Sequence, residues 1–334
     1  MILDMGGEVH QRLLMQFKIY DPKDFPSWLP RLNALYDDLF EGGKGFRAKL
    51  VQMVFRHLSM DSSSGTNLNS KTMTLLCQTI EFIHNSSLLH DDLIDRSHLR
   101  RGKTAAWVKY SPEYAVLAGD YLLARVMVNL SSYGNIQLLQ LTSQAISDLL
   151  EGEWIQDSLI RDFNVSLDRL DRVHNLKTGS LFKWCLQAPF LVNNRNDESL
   201  HRILIELGSI LGLLFQRSDD LLDFDIRNYE GKAVLGDLKS GYLNSFSAFL
   251  LEGVPSIQKT NFLKCQNLDE VKVAVGDSYL QSRLLDFDKA NAKLISLYDH
   301  HLKNLTQYLL EGEIAMVEEL KVLPDILYWR KKAR

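Results

Sequence analysis

Cysteine is scarce. Cys77, Cys185 and Cys265 are the three in a chain of 334 residues, far apart, odd in number and without C-x-x-C spacing. That argues against a disulfide framework or a zinc site and fits a reducing cytoplasm. Proline is rare too, at 7 residues, so little interrupts long helical runs. No uninterrupted apolar run reaches the ~18 residues of a membrane-spanning helix. The opening MILDMGGEVHQRLL lacks a basic stretch followed by an apolar one, which argues against a signal peptide. There is no excess of basic charge either. The formal net charge is −4, which argues against nucleic acid as the main partner. Alternating apolar and polar runs bounded by turn residues are few, so strands should be scarce.

What is present is helical periodicity. The hydrophobic content of 46% is enough for a large core and too high for a disordered chain. In 72–90, Met73, Leu76, Ile80, Ile83 and Ser87 form one stripe, with Leu75, Thr79, Phe82 and Ser86 beside it. The stretches 114–130 and 203–224 also read as long, mostly buried helices. Segments 60–70, 192–198 and 227–241 read as connections, and no fixed repeat is visible. The expectation is one all-α domain over 1–334.

Two acidic clusters follow apolar helices. The first is His90-Asp91-Asp92-Leu93-Ile94-Asp95, and the second is Asp219-Asp220-Leu221-Leu222-Asp223, with Asp225 beyond. Asp91 and Asp95, and again Asp219 and Asp223, are four apart, which on a helix places them on one face. Like charges at that spacing repel and call for compensation. Carboxylate oxygens suit Mg²⁺, which takes one or two of them plus water and phosphate oxygens. A single D-D-x-x-D also reads as a solvated acidic helix end. Two copies, each after an apolar helix, favour a cluster of Mg²⁺ ions set against a diphosphate. Neither has the glycine and terminal glutamate of an EF-hand.

Basic residues accompany them in Arg100-Arg101-Gly102-Lys103, Gly42-Gly43-Lys44-Gly45-Phe46-Arg47 and Lys177-Thr178-Gly179-Ser180. None has Walker A spacing. Each alone is ordinary surface charge. Beside two acidic clusters they suggest a site for two diphosphates, one on metal and one on basic side chains.

With these motifs the sequence resembles the trans-isoprenyl diphosphate synthases, the polyprenyl synthetase family. The likeness lies in GGKGFR, IHNSSLLHDDLIDRSHLRRGK, VLAGDYLLARV, LLEGEWIQ, KTGSLF and LGLLFQRSDDLLDFD. The resemblance implies an isoprenoid synthase-type bundle of long antiparallel helices around a central cavity, a homodimer, and Mg²⁺. It implies that isopentenyl diphosphate is condensed with an allylic diphosphate. Carried over by residue, Asp91 and Asp95 bind Mg²⁺ with Asp92 beside them, and Asp219 and Asp223 bind a further Mg²⁺. Lys44, Arg47, His84 and Arg101 hold the isopentenyl diphosphate. Arg100, Lys177, Thr178 and Gln216 contact the allylic substrate. The catalytic set is then Asp91, Asp92, Asp95, Lys177 and Asp219.

The chain departs from the family in three places. Where the family reads G-K-x-x-G-x-D-L-x-x-G-K-x-T-L-P, Tyr242 stands for the second lysine and the T-L-P is gone, with Lys232 and Lys239 as partial substitutes. Arg217 sits where an apolar residue is usual, and Gly45 where arginine is frequent. Ser86 and Ser87, small residues before the first cluster, imply an open cavity and a product of geranylgeranyl length or beyond. Two other readings stay open. A terpene cyclase of related fold would show a single D-D-x-x-D. A non-catalytic subunit of a hetero-oligomeric synthase would be inactive without a partner.

Overall fold

The computed structural model describes residues 34–36, 39, 45–59, 70–100, 102–224 and 234–329. Described residues are almost wholly helical, as the periodicity predicts. In chain order they form α1 (Phe46–Ser59), α2 (Ser70–Ile94), α3 (Ala106–Lys109), α4 (Pro112–Tyr133), α5 (Ile136–Ser158), α6 (Leu167–His174), α7 (Ser180–Val192) and α8 (Glu198–Asp220). Then come α9 (Gly236–Lys239), α10 (Ser245–Leu251), α11 (Ser256–Phe262), α12 (Leu268–Val275), α13 (Asp277–Leu305), α14 (Ala315–Lys321) and α15 (Leu323–Trp329). The one sheet among the described residues is a hairpin of β1 (Leu99–Arg100) with β2 (Lys103–Thr104), pairing Leu99 with Thr104 and Arg100 with Lys103. Gly102, at φ +75°, takes the left-handed turn position that a side chain would resist. The segment read as a connection over 227–241 holds the short helix α9, which follows Leu235 at φ 55°.

Local signals explain the helix limits. Ser111 caps α4 by accepting from the Tyr114 amide, Pro112 occupies its first turn, and Gly134 closes it at φ +82°. The connection over 192–198 falls where the sequence places it, between α7 and α8.

The backbone groups into two compact units. The first is drawn from Met1–Ile146, Lys183–Leu204 and Tyr308–Glu319, the second from Ser147–Phe182, Ile205–Gln307 and Leu320–Arg334. In the first, α2 packs between α1 and α4. Leu76, Ile80 and Ile83 of α2 are buried, as are Val51 and Val54 of α1 and Ala118, Leu122 and Val126 of α4. Each buried Val, Leu or Ile side chain contributes about 1.5–3 kcal/mol. The second unit has an aromatic core. The rings of Phe224 and Phe246 lie 4.7 Å apart, edge to face, and those of Phe246 and Phe287 5.4 Å apart. No described helix is long and apolar enough to cross a membrane.

Candidate active site

The first acidic cluster closes α2. Arg96, at φ 52°, ends the helix in a Schellman turn, with its amide on the Leu93 carbonyl (3.3 Å) and the Ser97 amide on the Asp92 carbonyl (2.9 Å). Asp91 and Asp92 therefore sit in the last helical turn and Asp95 at its cap. No basic residue shares that turn. The helix dipole is negative there, so three carboxylates repel it as well as one another. Arg100, on β1, answers part of this. Its Nε donates to Asp92 Oδ1 at 2.8 Å, and its Nη2 contacts the same oxygen. Asp92 is 4% exposed, whereas Asp91 is half-buried and Asp95 exposed. Among the described residues no three His, Cys, Asp or Glu side chains converge into a closed cage. Oxygen donors alone, one turn apart at a negative helix end, fit a hard ion such as Mg²⁺ that keeps water and takes phosphate oxygens. They do not fit a zinc cage.

In the same unit the structure joins two residues from separate motifs. Arg47 in the first turn of α1 places Nη1 3.2 Å from His84 Nε2 on α2. The register is set by Glu81, one turn before His84, whose buried carboxylate accepts from the Ala48 amide at 3.1 Å and so caps α1. Lys44 and Arg101 lie outside the described residues. Ser86, read as part of a cavity wall, is instead fully engaged in packing. It is 1% exposed and donates to the Gly119 carbonyl at 2.9 Å, on the seam of α2 with α4. Ser87 is half-buried and bonds within its own helix, to the His84 carbonyl.

The second unit holds the other candidates. A π-helical turn, Asn175–Gly179, carries Lys177 and Thr178. Such turns displace side chains from the regular helical rows and are frequent at functional sites. Three glycines let the surrounding backbones meet it. A Cβ on Gly212 of α8 would fall 2.5 Å from Gly179 Cα, and one on Gly152 of α5 would fall 2.9 Å from the Lys177 amide nitrogen. The close approach aligns a string of polar groups. Lys177 Nζ pairs with the buried Glu153 carboxylate and lies 3.5 Å from Gln156 Oε1. Thr178 Oγ1 donates to Gln216 Oε1 (3.1 Å), and Gln216 Nε2 donates to Asp220 Oδ1 (3.0 Å). Asp220 Oδ2 accepts from the Ser245 amide at 2.9 Å. His174 Nε2 lies 3.9 Å from the same oxygen, and burial holds this imidazole below the usual histidine range.

The second acidic cluster is less regular than its spacing predicts. The α-helix ends at Asp220, and Leu221–Phe224 form a 3₁₀ turn. Three residues per turn replace 3.6, so Asp223 does not continue the α-helical row of Asp219. Asp223 is buried, and its Oδ2 accepts from the Asp237 amide at 2.9 Å. Asp219 is half-buried. Asp225 and Lys232 lie outside the described residues. Tyr242 is half-buried, its amide donating to the Asp237 carbonyl at 2.9 Å. Arg217 serves packing. It is 5% exposed, forks onto Asp171 (Nε–Oδ1 3.2 Å, Nη2–Oδ2 2.6 Å) and lies over the Phe287 ring. The sequence reading gave no role to Glu81, to Glu153 within LLEGEWIQ, or to Asp220 within the second acidic cluster. Each is a carboxylate within an apolar helix, a position that calls for a partner.

Known proteins compare as follows. The polyprenyl synthetase family model matches residues 29–275, a stretch that takes in residues of both units. A decaprenyl-diphosphate synthase of Dictyostelium discoideum is 32% identical over 285 residues, covering 83% of this chain and 60% of that protein. The chain thus spans less than two thirds of that relative's length. A prenyl transferase of Synechocystis sp. is 32% identical over 268 residues, covering 78% of this chain and 81% of its own. Among solved structures, a decaprenyl diphosphate synthase from Rhodobacter capsulatus superposes with a TM-score of 0.78 at 23% identity, covering 98% of this chain and 95% of that one. The fold is therefore the all-α one of these synthases. With the family model matched over most of its length and its aspartate clusters closing two long helices, the chain belongs to the polyprenyl synthetase family.

Proposed function

We propose that the chain is a Mg²⁺-dependent trans-prenyltransferase, a single catalytic domain that condenses isopentenyl diphosphate with an allylic diphosphate. The products are a longer polyprenyl diphosphate and pyrophosphate. The observation that carries the proposal is the end of α2, where Asp91 and Asp95 stand one turn apart at the negative end of the helix dipole, with no basic residue in that last turn. The Arg47–His84 pair lies in the same unit. The names of the relatives, decaprenyl synthases among them, favour a product of geranylgeranyl length or beyond.

Asp91 and Asp95, and likewise Asp219, would hold divalent cations, which would supply positive charge where the departing pyrophosphate accumulates negative charge. Lys177, Thr178 and Arg100 bind the allylic diphosphate and orient its C–O bond for cleavage. Arg47 and His84, with Lys44 and Arg101, hold the isopentenyl diphosphate. Its double bond supplies the electron pair for the new C–C bond. The proton then lost goes to the released pyrophosphate, so no side chain acts as base. Apolar helix faces exclude water from the cationic carbon. Asp223 and Lys232 belong to the same proposed site, Asp223 as a metal ligand once its bond to Asp237 is shared.

The proposed assembly is a homodimer. In the first unit Leu117 and Val128 of α4 and Ile136 of α5 are exposed, and a second copy covering them removes that apolar surface from water. Three buried, unpaired cysteines fit the reducing cytoplasm as its location.

One incubation tests the activity. Protein, Mg²⁺ and labelled isopentenyl diphosphate are offered with dimethylallyl, geranyl, farnesyl or geranylgeranyl diphosphate in separate tubes, and the products are sized by chromatography. A ladder ending at a defined length is expected. No incorporation from any starter would overturn the proposal in favour of a partner subunit.

A further inference from the structure

Arg217 departs from the family pattern, yet every group around it is accounted for. Besides the fork onto Asp171, its Nη1 donates to Asn291 Oδ1 at 2.9 Å. Asn291, on α13, is 0% exposed. An arginine only donates, so the amide must present its oxygen to Arg217 and its nitrogen elsewhere. Asn291 Nδ2 accordingly donates to the Phe287 carbonyl (2.8 Å) and to Tyr328 Oη (3.0 Å). The phenol, accepting there, must send its own proton onward, and it donates to Asp288 Oδ1 at 2.7 Å. Burial, with Asp288 as acceptor, raises the phenol above its ordinary value and keeps that proton in place. The string Arg217–Asn291–Tyr328–Asp288 has one consistent direction and a carboxylate at each end. Tyr328 is tied to α8 a second time, because Ser218 Oγ donates to its backbone carbonyl at 3.1 Å. Arg217 and Ser218 directly precede Asp219 and Asp220.

We infer that Tyr328, on the last described helix of the chain, is a positioning residue for the second aspartate cluster. Through Asn291 and Arg217 its hydroxyl fixes the final turn of α8, and with it the direction in which Asp219 leaves. Asp220, bonded to Gln216 and Ser245, transmits the same turn to the Thr178 side. The inference rests on the proposed metal-binding role of Asp219. It adds that the precision of that site is set from α13 and α15.

The test is metal binding in the full chain. Mn²⁺ is titrated with inorganic pyrophosphate present and followed by electron paramagnetic resonance, with thermal unfolding measured in parallel. Tyr328→Phe keeps the ring and the backbone carbonyl and removes the hydroxyl alone. It should need about tenfold more Mn²⁺ for half-saturation, the lower end of what losing a direct partner of a metal ligand costs, because Tyr328 acts through Asn291 and Arg217. Leu327→Ala, which thins the neighbouring packing without touching the string, should lower the unfolding temperature and leave the titration unmoved. A Tyr328→Phe protein that titrates like the parent, or a Leu327→Ala protein that shifts as much, would overturn the inference alone. A parent chain that binds no Mn²⁺ with pyrophosphate would overturn the proposed function as well.

Discussion

Thr178 donates to Gln216 at 3.1 Å because Gly179 and Gly212 let the π turn and α8 meet backbone to backbone. Neither glycine is needed here for a left-handed conformation. Both are needed for the absence of a side chain. Gly212→Ala should force the two backbones apart and cost about 1–3 kcal/mol of stability, read by denaturant unfolding. The exposed Gly312, around which a Cβ meets nothing within 4 Å, serves as the control, and Gly312→Ala should be near neutral.

The Lys177–Glu153 pair makes a prediction of a different kind. Lys177 is paired with the buried Glu153 carboxylate, so in the proposed site the allylic diphosphate would have to share the ammonium with it. Glu153→Gln removes the competitor and also the group that orients the amine. KM for the allylic substrate should fall about fivefold, equivalent to ~1 kcal/mol, while kcat falls too. KM for isopentenyl diphosphate should stay unchanged. A rise in both KM values would show that Glu153 merely supports the fold.

Ser86 and Ser87 separate packing from product length. Ser86→Ala strips the hydrogen bond to Gly119 and should cost about 1 kcal/mol of stability, with the product ladder unchanged. Ser87, half-buried and bonded only within its own helix among the contacts described, is the place to test whether the small residues before the first cluster set product length. Ser87→Phe should shorten the final product, and an unchanged ladder would remove both serines from any account of chain length.

Burial pushes the Cys77 thiol from its ordinary 9.0 up to about 12, and the neighbouring Glu81 carboxylate adds to the rise. Its folded-state value lies above the unfolded one, so the stability it contributes is complete below pH 9 and is lost as pH rises from about 9 toward about 12. Cys185 is raised in the same sense, again by burial first. Native protein at pH 8 should therefore react slowly with a thiol reagent. Full labelling should require denaturant, and midpoints of unfolding should drop between pH 9 and 11.

Much of this protein is determined by the order of its residues. Apolar residues at three-to-four spacing dictate the long helices. Ser111-Pro112 and Gly134 delimit α4 by capping chemistry that acts over one turn. The run from His90 to Asp95 places three carboxylates at a helix end. These are local effects, and a sequence carries them directly. Tertiary structure alone decided what each polar group faces. Arg217, an anomaly in the sequence, became a buried link because Asp171 of α6 and Asn291 and Phe287 of α13 converge on it. Asp223, four residues from Asp219, left its expected row because a 3₁₀ turn begins between them and the Asp237 amide claims its carboxylate. Ser86 turned from a cavity wall into a seam because Gly119, 33 positions on, offered a carbonyl. Periodicity fixes which face of a helix is apolar. Only the packing of distant helices determines which donor meets which acceptor, because desolvated polar groups must find partners wherever the fold supplies them.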